Sequence, residues 1–145
     1  MTANHFTGSW HLISGEYHYS DGTVTYPWGK NPGGLIIYTA DGHMAAQIMK
    51  SERTNFAAKD HMNGTDTEIR EAFEGYQAYY GTYTVNETQQ TIDHHVTGSM
   101  FPNLVGHTLK RFFELAGNRL TLTTPPMRMG GNQVVGVLVW EKISA

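Results

Sequence analysis

The chain has 145 residues, no cysteine and a formal net charge of −3, with 10 Lys and Arg residues scattered along its length. This length predicts a single domain over residues 1–145 that can bury a core without disulfides. The absence of thiols excludes a thiolate metal site and a cysteine nucleophile, and it suits a reducing cytoplasm. The scattered positive charge argues against nucleic acid as a partner.

Targeting signals are not evident in the sequence. Residues 1–6 have neither the basic nor the apolar region of a secretion signal. No apolar run approaches the roughly 20 residues that a membrane span requires. We therefore expect a cytoplasmic protein that has no membrane partner.

The first half of the chain predicts strands joined by turns. A strand from Gly8 to Tyr19 alternates in hydropathy, with a bulge expected at Gly15. A Pro/Gly-rich loop follows from Tyr26 to Gly33. Two apolar runs, at about 34–39 and 43–50, are then joined at an Asp-Gly pair, which is typical of a hairpin.

After an aperiodic loop at 51–66, the apolar residues recur at helical spacing. Thr65 and Glu68 match a capping box, and Gly81 is expected to end a helix of roughly 14 residues. The period of two then returns, and it predicts further strands near 81–86, 90–98, 105–116, 119–124 and 134–142.

These elements predict an all-β fold with one inserted helix, an eight-stranded antiparallel up-and-down barrel. Alternation of strand direction places the long loops at one mouth of the barrel and the tight turns at the other end. A closed barrel has no free strand edge, so we expect a monomer or a weak homodimer.

Several motifs spread over nearly the whole chain carry a resemblance to a known family. They include Gly8-Ser9-Trp10, Tyr26-Pro27-x-Gly29-x-x-Pro32, Phe101-Pro102-Asn103 and Leu138-Val139-Trp140-Glu141-Lys142. With the eight-strand meander, they resemble the bacterial and fungal lipocalin-like domain family of the calycin group. This resemblance implies an intracellular barrel that binds an organic molecule, and it supplies no catalytic motif. Relatives in the wider calycin group include carriers and enzymes that isomerise or cyclise reactive intermediates, often in specialised metabolism.

The period of two also predicts which side chains face the barrel interior. The inward polar set predicted in this way comprises Ser14, Glu16, His94, His107 and Arg111. Ionisable groups inside a barrel are costly unless they are paired, so they usually mark a binding site, a catalytic site or an ion pair. The other predicted ligand contacts are Tyr38, Leu109 and Phe113 on the walls, with Tyr26 and Trp28 at the mouth.

The favoured chemistry is acid–base catalysis by His94, His107, Arg111 and Glu16. A histidine whose pKa lies near the working pH could move a proton on an enolisable substrate. Arg111 could hold a carboxylate, phenolate or enolate. We therefore expect a cofactor-independent isomerase, cyclase or lyase that acts on an aromatic or polyketide-like small molecule.

Three alternatives stay open. The same polar groups could orient the ligand of a non-catalytic carrier. His94, His107 and Glu16 could bind a metal, but their spacing matches no known metal motif, so we expect neither metal nor another cofactor. Finally, Glu16 and Arg111 could form an ion pair across a barrel that is filled by its own side chains.

Overall fold

A computed structural model describes residues 5–143 of the chain. Residues 1–4, which form most of the segment analysed for a secretion signal, lie outside this range, as do residues 144–145. Within the described range, none of the helices has the length and apolar character needed to cross a membrane.

Ten antiparallel strands form one sheet that closes on itself. They are β1 Gly8–Tyr19, β2 Val24–Thr25, β3 Gly33–Tyr38, β4 His43–Met49, β5 Tyr76–Asn86, β6 Thr91–Ser99, β7 Thr108–Ala116, β8 Arg119–Thr123, β9 Met127–Met129 and β10 Asn132–Lys142. The order in the sheet is β2-β1-β3-β4-β5-β6-β7-β8-β10-β9, and β1 also pairs with β10. The closed part is an eight-stranded barrel, with β2 and β9 as short additions. The predicted fold class is confirmed.

The inserted helix is shorter than predicted. Helix α1 covers Asp66–Glu74, and the predicted capping box between Thr65 and Glu68 is present. The glycine after Glu74 caps the helix, and β5 begins at Tyr76. Tyr76 and Tyr80 therefore belong to a strand that pairs with β4. The helical spacing of these aromatic residues was misleading because strand pairing overrides local propensity.

Strand β1 has its bulge at Ile13, two residues before the predicted position. Leu12 pairs with Trp140, whereas Ser14 pairs with Val139, so Ile13 has no partner of its own in β10. One extra residue moves every following side chain to the opposite face of the strand. The interior of the barrel therefore receives different side chains from the second half of β1 than the uninterrupted alternation predicts.

The two ends of the barrel differ as the strand directions predict. Tight turns connect the strands at residues 39–42, 87–90 and 117–118. The longer segments 20–32, 50–75 and 100–107 all lie at the opposite end, and the third contains a short 3-10 helix at Pro102–Leu104. The end with the longer segments is the mouth of the barrel.

Phe6 plugs the end with the tight turns. Its side chain is 1% exposed, and its ring meets the rings of Tyr38 and Phe113 edge to face, with centroids 5.6 and 4.9 Å away. The indole nitrogen of Trp10 donates a hydrogen bond of 2.9 Å to the Phe6 carbonyl oxygen. Aromatic edge-to-face pairs stabilise beyond the area they bury, so this end is tightly closed.

Gly81 lies where β5 packs against a bulge in β6, and we expect Gly81→Ala to destabilise the barrel. A Cβ at this position would lie 1.8 Å from the carbonyl oxygen of His95, so the backbones would have to separate. Such overpacking costs about 1–3 kcal/mol, which urea unfolding would measure. Gly33→Ala is the control, because its added Cβ would meet only the flexible end of Met49, at 3.2 Å. An equal loss in both variants would contradict the steric argument.

Candidate functional site

A hydrogen-bonded chain of side chains crosses the interior of the barrel. His94 on β6 is 1% exposed, and both of its ring nitrogens are engaged. The Tyr38 hydroxyl lies 2.7 Å from Nε2, and the Tyr79 hydroxyl lies 2.8 Å from Nδ1. Tyr38 comes from β3 and Tyr79 from β5, so three strands of the barrel position this chain.

Burial keeps all members of this chain neutral near pH 7. Burial, with the positive charge of Arg111 as a smaller contribution, lowers the pKa of His94 to about 3. Burial also raises the pKa of the Tyr79 hydroxyl, and it raises the pKa of the Tyr38 hydroxyl well above its usual value. A neutral imidazole has one donor and one acceptor nitrogen, so one tyrosine donates to it and the other accepts from it.

Arg111 sets the direction of the chain. It lies on β7, half-buried, and its positive charge acts on the Tyr79 hydroxyl. A positive charge beside Tyr79 favours the arrangement in which the Tyr79 oxygen is directed at Arg111 and its O–H donates to Nδ1 of His94. We therefore assign the imidazole hydrogen to Nε2, which donates to the Tyr38 oxygen. The Tyr38 O–H is left to donate to a further acceptor inside the barrel.

Trp28 covers part of the mouth. It is partly buried and packs on the core, and its carbonyl oxygen accepts a hydrogen bond of 3.0 Å from the Ser51 backbone. A Cβ on Gly15 would lie 3.1 Å from Cδ1 of Trp28, so this glycine makes the room in which the indole packs. Trp28 therefore lies between β1 and the segment after β4, at the mouth of the barrel, and its contact with a ligand stays a prediction.

Tyr17 on β1 is a polar residue of the interior that the sequence analysis missed. It is buried and faces the same side of β1 as Gly15, because both follow the bulge. Burial raises its pKa to about 12, and the Arg111 charge opposes this shift.

Tyr79 on β5 is a second interior residue that the sequence analysis missed, because it falls between two residues assigned to the helix. The alternation of Tyr79, Gly81 and Tyr83 on one face of β5 is the signal that would have found it.

The predicted inward positions of Ser14 and Glu16 are wrong. Both lie on the outer face of β1, because the bulge reverses the alternation after Leu12. The Glu16 carboxylate pairs with His18 at 2.8 Å, and both side chains are partly open to solvent. The ion pair between Glu16 and Arg111, which the sequence left open as an alternative, is not formed among residues 5–143.

The predicted inward position of His107 is also wrong. β7 begins at Thr108, three residues after the predicted start. His107 is therefore an exposed residue of the preceding loop, and its backbone carbonyl accepts a hydrogen bond from the Val96 N–H. His94 instead pairs with Leu109 across the two strands. His94, His107 and Glu16, considered together as metal ligands, are not brought together. Within residues 5–143 there is no group of three or more His, Asp or Glu that could hold a metal ion.

The remaining predicted contacts take three different places. Leu109 is partly buried beside the chain of hydrogen bonds, and Phe113 packs in the closed end against the Phe6 plug. Tyr26 is exposed at the mouth, where the Lys30 ammonium lies 5.3 Å from its ring centroid. The interior site consists of Tyr17, Tyr38, Tyr79, His94 and Arg111 under Trp28.

An eight-stranded up-and-down barrel that is closed at one end and polar inside defines the lipocalin type of ligand-binding barrel. The chain belongs to the lipocalin-like domain family, whose model matches residues 7–143. It is similar to the 4'-hydroxy-3'-methoxypropiophenone carrier protein ppsC of Aspergillus oryzae (strain ATCC 42149 / RIB 40), with 32% identity over 108 residues. The match covers 69% of this chain and 96% of the relative. The family and this relative support binding of a small molecule.

Proposed function

We propose that the barrel binds an aromatic small molecule with a polar oxygen and carries it without converting it. The observation that carries this proposal is the chain of Tyr79, His94 and Tyr38, whose polar atoms lie among the aromatic side chains of the interior. With the imidazole hydrogen on Nε2, the chain ends in the Tyr38 O–H as a donor. The relative from Aspergillus oryzae is named as a carrier of an aryl ketone, which is a molecule of this class.

The two parts of the interior have separate roles in this proposal. Aromatic walls supply affinity in proportion to the apolar area that they remove from water. A few convergent polar groups fix the orientation of the ligand. The Tyr38 hydroxyl is the donor for a ligand oxygen, and Trp28 limits access from solvent at the mouth.

The state of His94 favours carriage over acid–base catalysis. Its pKa of about 3 leaves it a poor base near pH 7, and both of its nitrogens already have partners. Glu16 and His107, the other predicted proton carriers, are outside the barrel. The assembled interior therefore orients a ligand more readily than it removes a proton from one.

Isomerisation or cyclisation is the second candidate, and one observation favours it. An imidazole between two hydroxyls can pass a proton along the chain from one tyrosine to the other without becoming charged for long. An enolisable ketone bound at the Tyr38 hydroxyl would then exchange the hydrogens next to its carbonyl with solvent. Deuterium exchange of a bound aryl ketone, compared between the native protein and His94→Gln, separates the two functions. Carriage predicts equal rates, and faster exchange in the native protein would favour catalysis.

We expect the native protein to bind 4'-hydroxy-3'-methoxypropiophenone with one-to-one stoichiometry in a calorimetric titration. Trp28→Ala should weaken this binding about 10- to 100-fold, because it removes one large aromatic contact from the ligand. The control is Phe112→Ala, which removes an exposed aromatic side chain from the outer face of β7. No measurable heat with the native protein at millimolar ketone would contradict the proposed ligand class.

A further inference from the structure

Arg111 is a cation for which residues 5–143 supply no counter-ion. Its guanidinium donates a hydrogen bond of 3.1 Å to the backbone carbonyl of Lys110, and its charge also acts on the Tyr79 hydroxyl. Among residues 5–143, no ion pair involves Arg111. The register of β7 places it on the same face as the buried Phe113, so its side chain belongs to the interior.

The groups that face Arg111 leave the interior with a positive charge. Tyr17 on β1, Tyr38 on β3, Tyr79 on β5 and His94 on β6 are all neutral near pH 7, because burial disfavours their charged forms. The buried residues of β4, β8 and β10 in the described structure have no titratable side chain. Lys142 ends the inner face of β10 at the closed end and is itself a cation, so it supplies no counter-ion. A half-buried cation without a partner is costly, so this interior favours an anion.

We propose that the barrel takes its ligand as a phenolate, with Arg111 as the counter-ion and the Tyr38 hydroxyl as the second donor. The ligand class is a phenol made acidic by a carbonyl group on the same ring, and this inference rests on the proposed function. Hydrogen bonds to an ionised acceptor are about twice as strong as neutral ones. A guanidinium is also weakly hydrated, which suits a half-buried ion pair.

The test compares 4'-hydroxy-3'-methoxypropiophenone with its 4'-O-methyl ether, which cannot ionise. Phenolates absorb at longer wavelength than phenols, so the spectrum of the bound ketone reports its charge directly. We expect the phenolate spectrum on the native protein at a pH one unit or more below that at which the free ketone ionises. Arg111→Met should weaken binding of the phenol about 10- to 100-fold and abolish this shift, because it removes a charged hydrogen bond.

Binding of the methyl ether should change less than about threefold on the same substitution, because it has no charge to lose. Lys110→Met is the matched control. This residue is the adjacent cation on the same strand, faces outward and lies 3.9 Å from Asp93. It should leave both affinities and the spectrum unchanged. Arg111→Lys keeps the charge and should retain part of the spectral shift.

The outcomes separate this inference from the proposed function. If neither compound binds the native protein, the proposed function fails. If both bind equally well and the phenol keeps its neutral spectrum, the proposed function stands and the counter-ion role of Arg111 is overturned. The absorption spectrum of the ketone bound to the native protein shows whether the ligand is ionised, even if Arg111→Met does not fold.

Discussion

Between pH 6.5 and 4.5, the free energy of unfolding should fall by about 2 kcal/mol because of His94 alone. Its pKa is about 3 in the fold, against an ordinary value of about 6.5 in the unfolded chain. The unfolded state therefore binds the proton first as the pH falls, and each pH unit in this window costs up to about 1.4 kcal/mol. The stabilisation that comes from keeping His94 neutral is complete above pH 6.5 and is lost progressively down to pH 3.

The window of the measurement matters because several carboxylates contribute at lower pH. Hydrogen bonds lower the pKa of four carboxyl groups, those of Asp21, Asp41, Glu68 and Glu141. Each of them therefore adds to the free energy of unfolding at a pH above its ordinary pKa, and this stabilisation is lost as the pH falls below that pKa. Urea unfolding at intervals between pH 6.5 and 4.5 isolates the histidine.

His94→Gln provides the sharpest comparison. Its neutral amide can still donate to one tyrosine and accept from the other, but it does not titrate. We expect its pH dependence over this window to be about 2 kcal/mol smaller than that of the native protein. His43→Gln is the control, because His43 is an exposed residue beside Asp41 on the outer face of the barrel. An unchanged slope in His94→Gln would show that His94 is not held neutral by burial.

Phe6→Ala should lower the free energy of unfolding by about 3–5 kcal/mol, the largest effect we expect from a single substitution. The change removes both edge-to-face contacts and opens a cavity between Tyr38 and Phe113. The surrounding rings belong to different strands, so they cannot close the cavity without distorting the barrel. Denaturant unfolding at pH 7 measures the loss.

Phe112→Ala is the matched control for this substitution. Phe112 is a phenylalanine of the same barrel, but it is 45% exposed on the outer face of β7. Substitutions at such surface positions usually change stability by less than about 0.5 kcal/mol. Similar losses in the two variants would mean that Phe6 does not plug the barrel.

Where the alternation of side chains is unbroken, the sequence predicted the interior correctly. In β6, Ile92 and Val96 mark the inner face and leave His94 on it. In β7, Phe113 marks the inner face, and Arg111 lies on that face two residues before it. The closed barrel and the placement of its loops follow from the number and the alternating direction of the strands, which the turns display locally.

The errors occur at a bulge and at a strand end. The bulge at Ile13 moved Ser14 and Glu16 to the outer face and brought Tyr17 inside. A strand that begins three residues later than predicted left His107 in a loop. The alternation of apolar and polar residues shows neither the bulge at Ile13 nor the start of β7, because both depend on how the strand pairs with its neighbours.

The sequence by itself determined the family, the barrel and three polar side chains of the interior, Tyr38, His94 and Arg111. Only the tertiary structure decided that Tyr38 and Tyr79 hold His94 and that Phe6 closes the barrel. The physical reason is that periodicity reports the face of a side chain within one strand. A bulge, a plug or a hydrogen-bonded chain depends instead on the pairing of strands that are distant in sequence.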